Sequence, residues 1–364
     1  MLPNINLIVG DSNLGRQLQG RDYYSGLVIY SNEPAFTPMQ IGSLAEAKAN
    51  GIGTASNPLA YKLVKDYFDL NNNGLLFVAG HTASAVPDFA EVAALQTYAG
   101  NEVRIMAVHT TATYSTSMDT TLQQTLVSMD AYDGYSVGLI SAKYTGSYSA
   151  MPNRRLTNPK VACVYAKDEA GFAVGKVLGR LSTLPISEAI NSVALGDLTV
   201  GASEVKYLGD GTDINSVAPS SLEALVNKGY LVPRRFSGYA GTRIALDVTG
   251  IIESNDFSTL AANRIMDKAK RVIKVALLPK LSSKVRLNSA GQLRADTIAD
   301  FVLVVRQALR GMVNDDDLAD FSVVIPANQN ILQTGVLNIN VGLLMNGIAN
   351  QINVNLGFVL KVSA

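Results

Sequence analysis

Between about residues 21 and 195 the chain alternates short apolar runs with helical stretches, and this alternation limits the possible folds most. Leu27-Val28-Ile29-Tyr30, Leu75-Leu76-Phe77-Val78-Ala79, 103–108, 136–141 and 160–165 read as strands. Helical patterns cover 43–49, 58–70, 88–98, 120–128 and 169–184. In the second of these, Leu59, Leu63, Val64, Tyr67 and Phe68 share one face, and Asn71-Asn72-Asn73-Gly74 stops the helix. β-α-β units of this length predict a largely parallel sheet with helices on both faces.

The stretch 185–218, broken by Pro185, Gly196, Gly201, Gly209 and Gly211, is expected to be the crossing into a second domain. That domain should hold a helix at 221–228, strands near 230–232 and 243–248, two long helices, an acidic turn and terminal strands. Leu337–Val341 and Gln351–Phe358 alternate apolar and polar residues at period two. In the last of these, Ile352, Val354, Leu356 and Phe358 fall on one face and the asparagines on the other. Ile5, Leu7 and Val9 form a similar short strand near the start. The expected division is an arm at 1–20, an α/β domain at 21–195, an assembly domain at 196–345 and a second arm at 346–364. The fold class is therefore an α/β sheet body plus an α+β C-terminal assembly domain, with extended N- and C-terminal β-strand arms. A patterned strand with a free edge invites a neighbour's strand.

Composition favours association. Of 364 residues, 48 % are hydrophobic and 16 % charged, with a formal net charge of zero. Little charge remains to solvate a free surface, and nothing overall attracts nucleic acid. No run of eighteen apolar residues predicts a membrane span, and the first residues lack the pattern of a secretory signal. The single cysteine, Cys163, sits in an apolar strand pattern and reads as a packed core thiol.

Four motifs invite a chemical reading. Gly10-Asp11-Ser12 after Leu7-Ile8-Val9 resembles the opening block of GDSL-type serine hydrolases. That chemistry needs a histidine held by an acid late in the chain, and no histidine follows His109. A hydrolase using Ser12, or a ligand site at the strand ends near His81 and His109, is the enzyme alternative; a strand-ending turn is the simpler reading. Gly171–Val177 lacks phosphate-loop spacing and lies in a helical pattern, where small residues serve close packing. Asp315-Asp316-Asp317, with Asp320, lacks the spacing of a calcium loop and reads as an acidic turn, a candidate contact for a basic neighbour. No metal or cofactor is expected.

Residues 261–277 carry the strongest pattern. Ile265, Met266, Ala269, Val272, Ile273, Ala276 and Leu277 make one apolar stripe, opposite Arg264, Lys268, Lys270, Arg271 and Lys274 against a single Asp267. In a chain with scarce charge, so basic a face points to an acidic partner. The following helix, 295–312, buries Ile298, Phe301, Val302, Val305, Leu309 and Met312, with Arg306 and Arg310 towards its C-terminal end.

Tyr239-Ala240-Gly241-Thr242-Arg243, Asn263 to Ala269, Leu278-Pro279-Lys280-Leu281 and the helix after Gly291 resemble the C-terminal domain of contractile tail sheath proteins. Asp315 to Ala319, Phe321–Ile325, Asn328-Gln329-Asn330 and the final hairpin continue the resemblance, which covers roughly 225–360. The chain is short for that family, so outer domains should be few and small. The resemblance implies a non-enzymatic subunit of a bacteriophage tail or related injection system. Such subunits stack as rings around a tube, linked by exchanged terminal strands, and contract to drive the tube through an envelope. Implied partners are further copies, the tail tube protein, and baseplate and terminator proteins, without nucleic acid or membrane insertion. The implied location is a virion tail or injection particle assembled in the bacterial cytoplasm. By the same analogy Arg264, Lys268, Lys270, Arg271 and Lys274 face the tube. The remaining alternative is a monomeric peptide-binding module.

Overall fold

A computed structural model describes residues 20–289, 291–329 and 331–354. The chain forms two compact units, Met1–Val275 and Ala276–Ala364.

In the first unit the strands are β1 (Ser25–Ser31), β2 (Phe36–Ile41), β3 (Leu76–Thr82), β4 (Ile105–Thr113), β5 (Val137–Lys143), β6 (Thr157–Asn158) and β7 (Val161–Val164). They continue with β8 (Ala166–Asp168), β9 (Gly171–Phe172), β10 (Tyr207–Leu208), β11 (Tyr230–Leu231), β12 (Pro233–Phe236), β13 (Tyr239–Ile244) and β14 (Gly250–Ile251). The helices are α1 (Leu44–Ala49), α2 (Pro58–Leu70), α3 (Ala90–Tyr98), α4 (Thr116–Asp130), α5 (Val174–Leu181) and α6 (Pro219–Asn227); α7 (Leu260–Leu277) then carries the chain towards the second unit.

The central sheet has seven strands in the order β11-β7-β5-β4-β1-β3-β2. All pair in parallel except β2, which runs antiparallel to β3 at the edge. Every residue of β1 is buried, because both sheet faces are covered and both neighbours are strands. The fold is thus mixed α/β, with a largely parallel central sheet and smaller sheets beside it.

Two expectations shift. The helix expected from 169 begins only at Val174, because Gly171 at φ +136° turns β8 back into β9 and Asp168 Oδ1 accepts Ala170 N–H at 2.9 Å. Gly175 and Gly179 then press α5 onto helix α2, not onto a sheet. A Cβ at Gly175 would lie 2.3 Å from the Leu63 carbonyl oxygen, and one at Gly179 2.6 Å from that of Tyr67. The strand expected over 243–248 ends at Ile244.

The second unit holds α8 (Ala295–Asn314), β15 (Asp320–Val324), α9 (Ile331–Thr334) and β16 (Asn340–Leu344). Leu293, Phe301 and Ile325 centre one core cluster, with Ile298, Val302, Val285, Leu287, Leu337 and Ile339 packed around it. β16 begins at Asn340, three residues later than the strand pattern, and residues 351–354 lie in no strand.

Candidate assembly surface

β15 and β16 form an antiparallel ladder from Asp320↔Leu344 to Val324↔Asn340. Phe321, Val323, Val341 and Leu343 are buried or half-buried, whereas Asp320, Ser322, Val324, Asn340, Gly342 and Leu344 stand exposed. The period-two pattern therefore places the exposed residues on one face. α8 packs against β15 and buries Val305, Leu309 and Met312. Two strands make a marginal sheet by themselves, and among the described residues neither outer edge has a ladder partner.

The edges of the two sheets are built differently. β2, at the edge of the central sheet, carries Pro38 and a register shift between Phe36 and Met39. A proline removes a donor and a bulge twists the edge away, so that edge resists strand addition. β15 and β16 carry no proline and pair without a shift. In addition, residues 321–360 contain no Asp, Glu, Lys or Arg. That charge-free stretch is the signal by which sequence alone could have marked the hairpin. Half of the large exposed apolar side chains among the described residues lie in this second, smaller unit, including Val324, Leu344, Ile352 and Val354. Of the expected arm residues, Ile352 and Val354 are exposed; Ile5, Leu7, Val9, Leu356 and Phe358 lie outside the described residues.

Local capping sets α7. Asp247, buried and thirteen residues upstream, accepts the N–H of Leu260 at 2.9 Å and of Ala261 at 3.1 Å. Burial raises its carboxyl to about 6, against the two amide bonds and Arg264, which favour the charged form. Asn263 Nδ2 donates to the carbonyls of Pro159, Phe257 and Thr259 at 2.8–2.9 Å. These bonds tie the first turns of the helix to the body.

The basic face of α7 meets the chain's own carboxylates. Arg264 is buried and donates to the carbonyl of Leu184 at 3.2 Å. Arg271 Nη2 and Lys268 Nζ reach Asp22 at 2.5 and 3.5 Å, Lys270 pairs with Asp267 at 3.2 Å, and Lys274 pairs with Asp133 at 2.5 Å. Asp267 also faces Lys160 at 3.6 Å. Beneath this network a cavity of about 10 Å³ is lined by Asp22, Arg104, Arg264, Asp267 and Arg271 among others. Burial, and then the Arg271 charge, lower the Arg104 guanidinium to about 10. Of these partners Asp267 stands on α7 itself as the single acid of its pattern, whereas Asp22 and Asp133 lie far away along the chain.

The three aspartates after α8 differ in exposure. Asp315 and Asp316 are exposed, Asp317 is buried, and Asp316 adopts φ +59° with its carbonyl held by Asn346 Nδ2 at 2.7 Å. No group of three or more His, Cys, Asp or Glu side chains placed to hold a metal occurs among the described residues. No helix there is long and apolar enough to cross a membrane.

The strand ends of the central sheet show the geometry of packing. Glu33, just after β1, accepts the N–H groups of Leu59 and Ala60 at 2.5 and 3.1 Å, so a carboxylate of the chain occupies the α2 N-terminus. His109 is fully buried inside β4, its ring centroid 4.6 Å from that of Phe172, and burial lowers it to about 3. His81 Nδ1 lies 3.8 Å from Glu91 Oε1, whose other oxygen accepts the Tyr30 hydroxyl at 2.8 Å. Cys163 is fully buried and its thiol is pushed up to about 12, which disfavours the thiolate. Ser12 lies outside the described residues.

Residues 2–243 match the family described as DUF2586, N-terminal domain, and residues 256–363 match DUF2586, C-terminal domain. The chain belongs to the DUF2586 family. No curated protein matches it in sequence. Solved structures share the fold over nearly the whole length of both chains. One is a chain of the anti-feeding prophage baseplate determined by cryo-EM with 6-fold symmetry, at TM-score 0.68 and 15 % identity over 99 % of each chain. Another belongs to the sheath complex of the PVC extracellular contractile injection system in its contracted state. It has TM-score 0.63 and 15 % identity over 100 % of this chain and 99 % of that one. A third, from the anti-feeding prophage baseplate in the contracted state, reaches 0.57 at 14 % identity over 99 % and 98 %. At such identity the likeness is one of fold.

Proposed function

We propose that this DUF2586 chain is a structural, non-enzymatic subunit of a contractile injection system, and within it a sheath subunit. Copies stack as rings around an inner tube and contract to drive that tube into a target envelope. The observation that carries the reading is the β15–β16 hairpin, with two edges that have no ladder partner among the described residues, an exposed face bearing Val324 and Leu344, and no charge from 321 to 360. Such an edge supports addition of strands from neighbouring copies, with main-chain bonds supplying affinity and alternating side chains fixing register. The terminal segments carrying Ile5, Leu7, Val9, Ile352, Val354, Leu356 and Phe358 are the proposed donors. The solved structures of similar fold, which come from a sheath complex and from baseplates of such systems, support the same class of machine.

A tube contact by α7 falls to Lys270 and Lys274, with side chains 39 % and 46 % exposed; Lys268 and Arg271, at 12 % and 15 %, are largely covered by the body. Negative-stain microscopy of the purified chain, with and without residues 350–364, tests the proposal. Tubes or rings from the full chain, and folded monomers from the truncated one, are expected. A truncated chain that still polymerises would remove terminal strand exchange from the proposal.

A further inference from the structure

The segments that flank α8 in the second unit carry opposite charge. Before the helix, residues 276–294 contain Lys280, Lys284, Arg286 and Arg294 and no acid. After it, residues 311–320 contain Asp315, Asp316, Asp317 and Asp320 and no base. The cationic end forms an open groove of about 580 Å³, lined by Lys280, Lys284, Arg286, Asp296, Asp300 and Phe301 among others. Asp300 pairs with Lys280 at 2.6 Å and Asp296 with Arg294 at 3.2 Å, whereas Lys284 and Arg286 make no ion pair among the described residues. At the other end Asp315, Asp316 and Asp320 are exposed, and Arg306 and Arg310, also exposed, offset only part of their charge.

Two physical points give this pattern meaning. A twenty-residue helix is about 30 Å long, several times the screening length of about 8 Å at physiological salt, so the two ends do not neutralise each other within one copy. Within α8 itself Asp296 and Asp300 near the N-terminus and Arg306 and Arg310 towards the C-terminus follow the helix macrodipole, so the segregated charge lies in the flanking segments. Opposite charge on the two flanks attracts the ends of different copies.

We propose that the acidic turn after α8 of one copy docks into the basic groove before α8 of the next. The contact is head-to-tail, so it repeats without closing on a dimer and generates rings or filaments. It rests on the assembly reading above and adds to it a second, charge-based joint beside the strand joint. The Asn346 bond to the Asp316 carbonyl holds the turn ready for this contact.

The test uses the full chain in two variants, Lys284→Glu with Arg286→Glu, and Asp315→Lys with Asp320→Lys, which spare the buried Asp317 and the left-handed Asp316. Each variant alone is expected to raise the protein concentration needed for assembly about tenfold or more. An equal mixture of the two, in which the reversed charges meet, is expected to recover assembly. Unchanged assembly by both single variants overturns the charge joint and leaves the sheath reading standing. Salt-sensitive head-to-tail oligomers of wild type without tubes, detected by sedimentation velocity, support the joint and overturn the sheath reading. A strictly monomeric wild type at low salt overturns both.

Discussion

Leu344→Lys probes the exposed face of the hairpin. Leu344 ends β16, its residue is 60 % exposed in the single chain, and it shares the outward face with Val324. Full burial of a leucine returns about 1.5–3 kcal/mol, so covering the exposed part in an assembly returns about 1–2 kcal/mol per joint. Lysine forfeits that gain and adds the cost of stripping water from an ammonium group. Because each 1.4 kcal/mol is a factor of ten, the critical concentration for polymerisation should rise about tenfold or more. Turbidity and pelleting over a concentration series measure it. The folded chain should be indifferent to the change, as surface substitutions usually lie within about 0.5 kcal/mol, and thermal unfolding checks this. A variant with unchanged melting and an unchanged critical concentration would refute the view that neighbours cover this face.

The other predictions concern the body. Arg154 is fully buried; its Nε donates to Asp119 Oδ2 at 2.9 Å and its Nη2 to the Val161 carbonyl at 3.2 Å. Arg154→Ala strands the buried Asp119 carboxylate and should cost about 3–5 kcal/mol in urea unfolding; Arg154→Leu with Asp119→Leu should recover much of the loss. The carboxyls of Asp247 and Asp66 both lie at about 6 when folded, raised chiefly by burial above the usual carboxylate range. Their folded state prefers the proton, so this contribution to stability is fully present below about pH 4 and is lost as pH rises through about 6. Asp247→Asn should flatten that part of the stability–pH curve measured by denaturant titration; an unchanged slope would contradict the assignment.

How far the fold could be read varied with how local its causes are. The α2 pattern, with Pro58 opening and Asn71 closing, matches the helix residue for residue because cap, stripe and stop all lie in one short segment. β1, β3, β4 and β5 were legible as apolar runs, since strands covered on both faces need no alternation. β2 went unread because Pro38 and its half-polar text disguise an edge strand. The β8–β9 turn hid inside a helical pattern because one glycine at positive φ reversed the chain. The basic stripe of α7 and its one acid, Asp267, were plain in sequence, but the partners Asp22 and Asp133 came together with it only by folding.

Sequence alone determined that this chain builds a β-α-β body, keeps little charge, and ends in patterned strand text, because periodicity and composition are properties of neighbouring residues. Tertiary structure decided which charges are already satisfied and which edges stay open. It placed α7's cations against the body's own aspartates, blunted β2, and left β15–β16 without a further strand among the described residues, with opposite charges flanking α8. Those outcomes depend on contacts between residues far apart along the chain, and pairing at a distance is what a one-dimensional pattern does not encode.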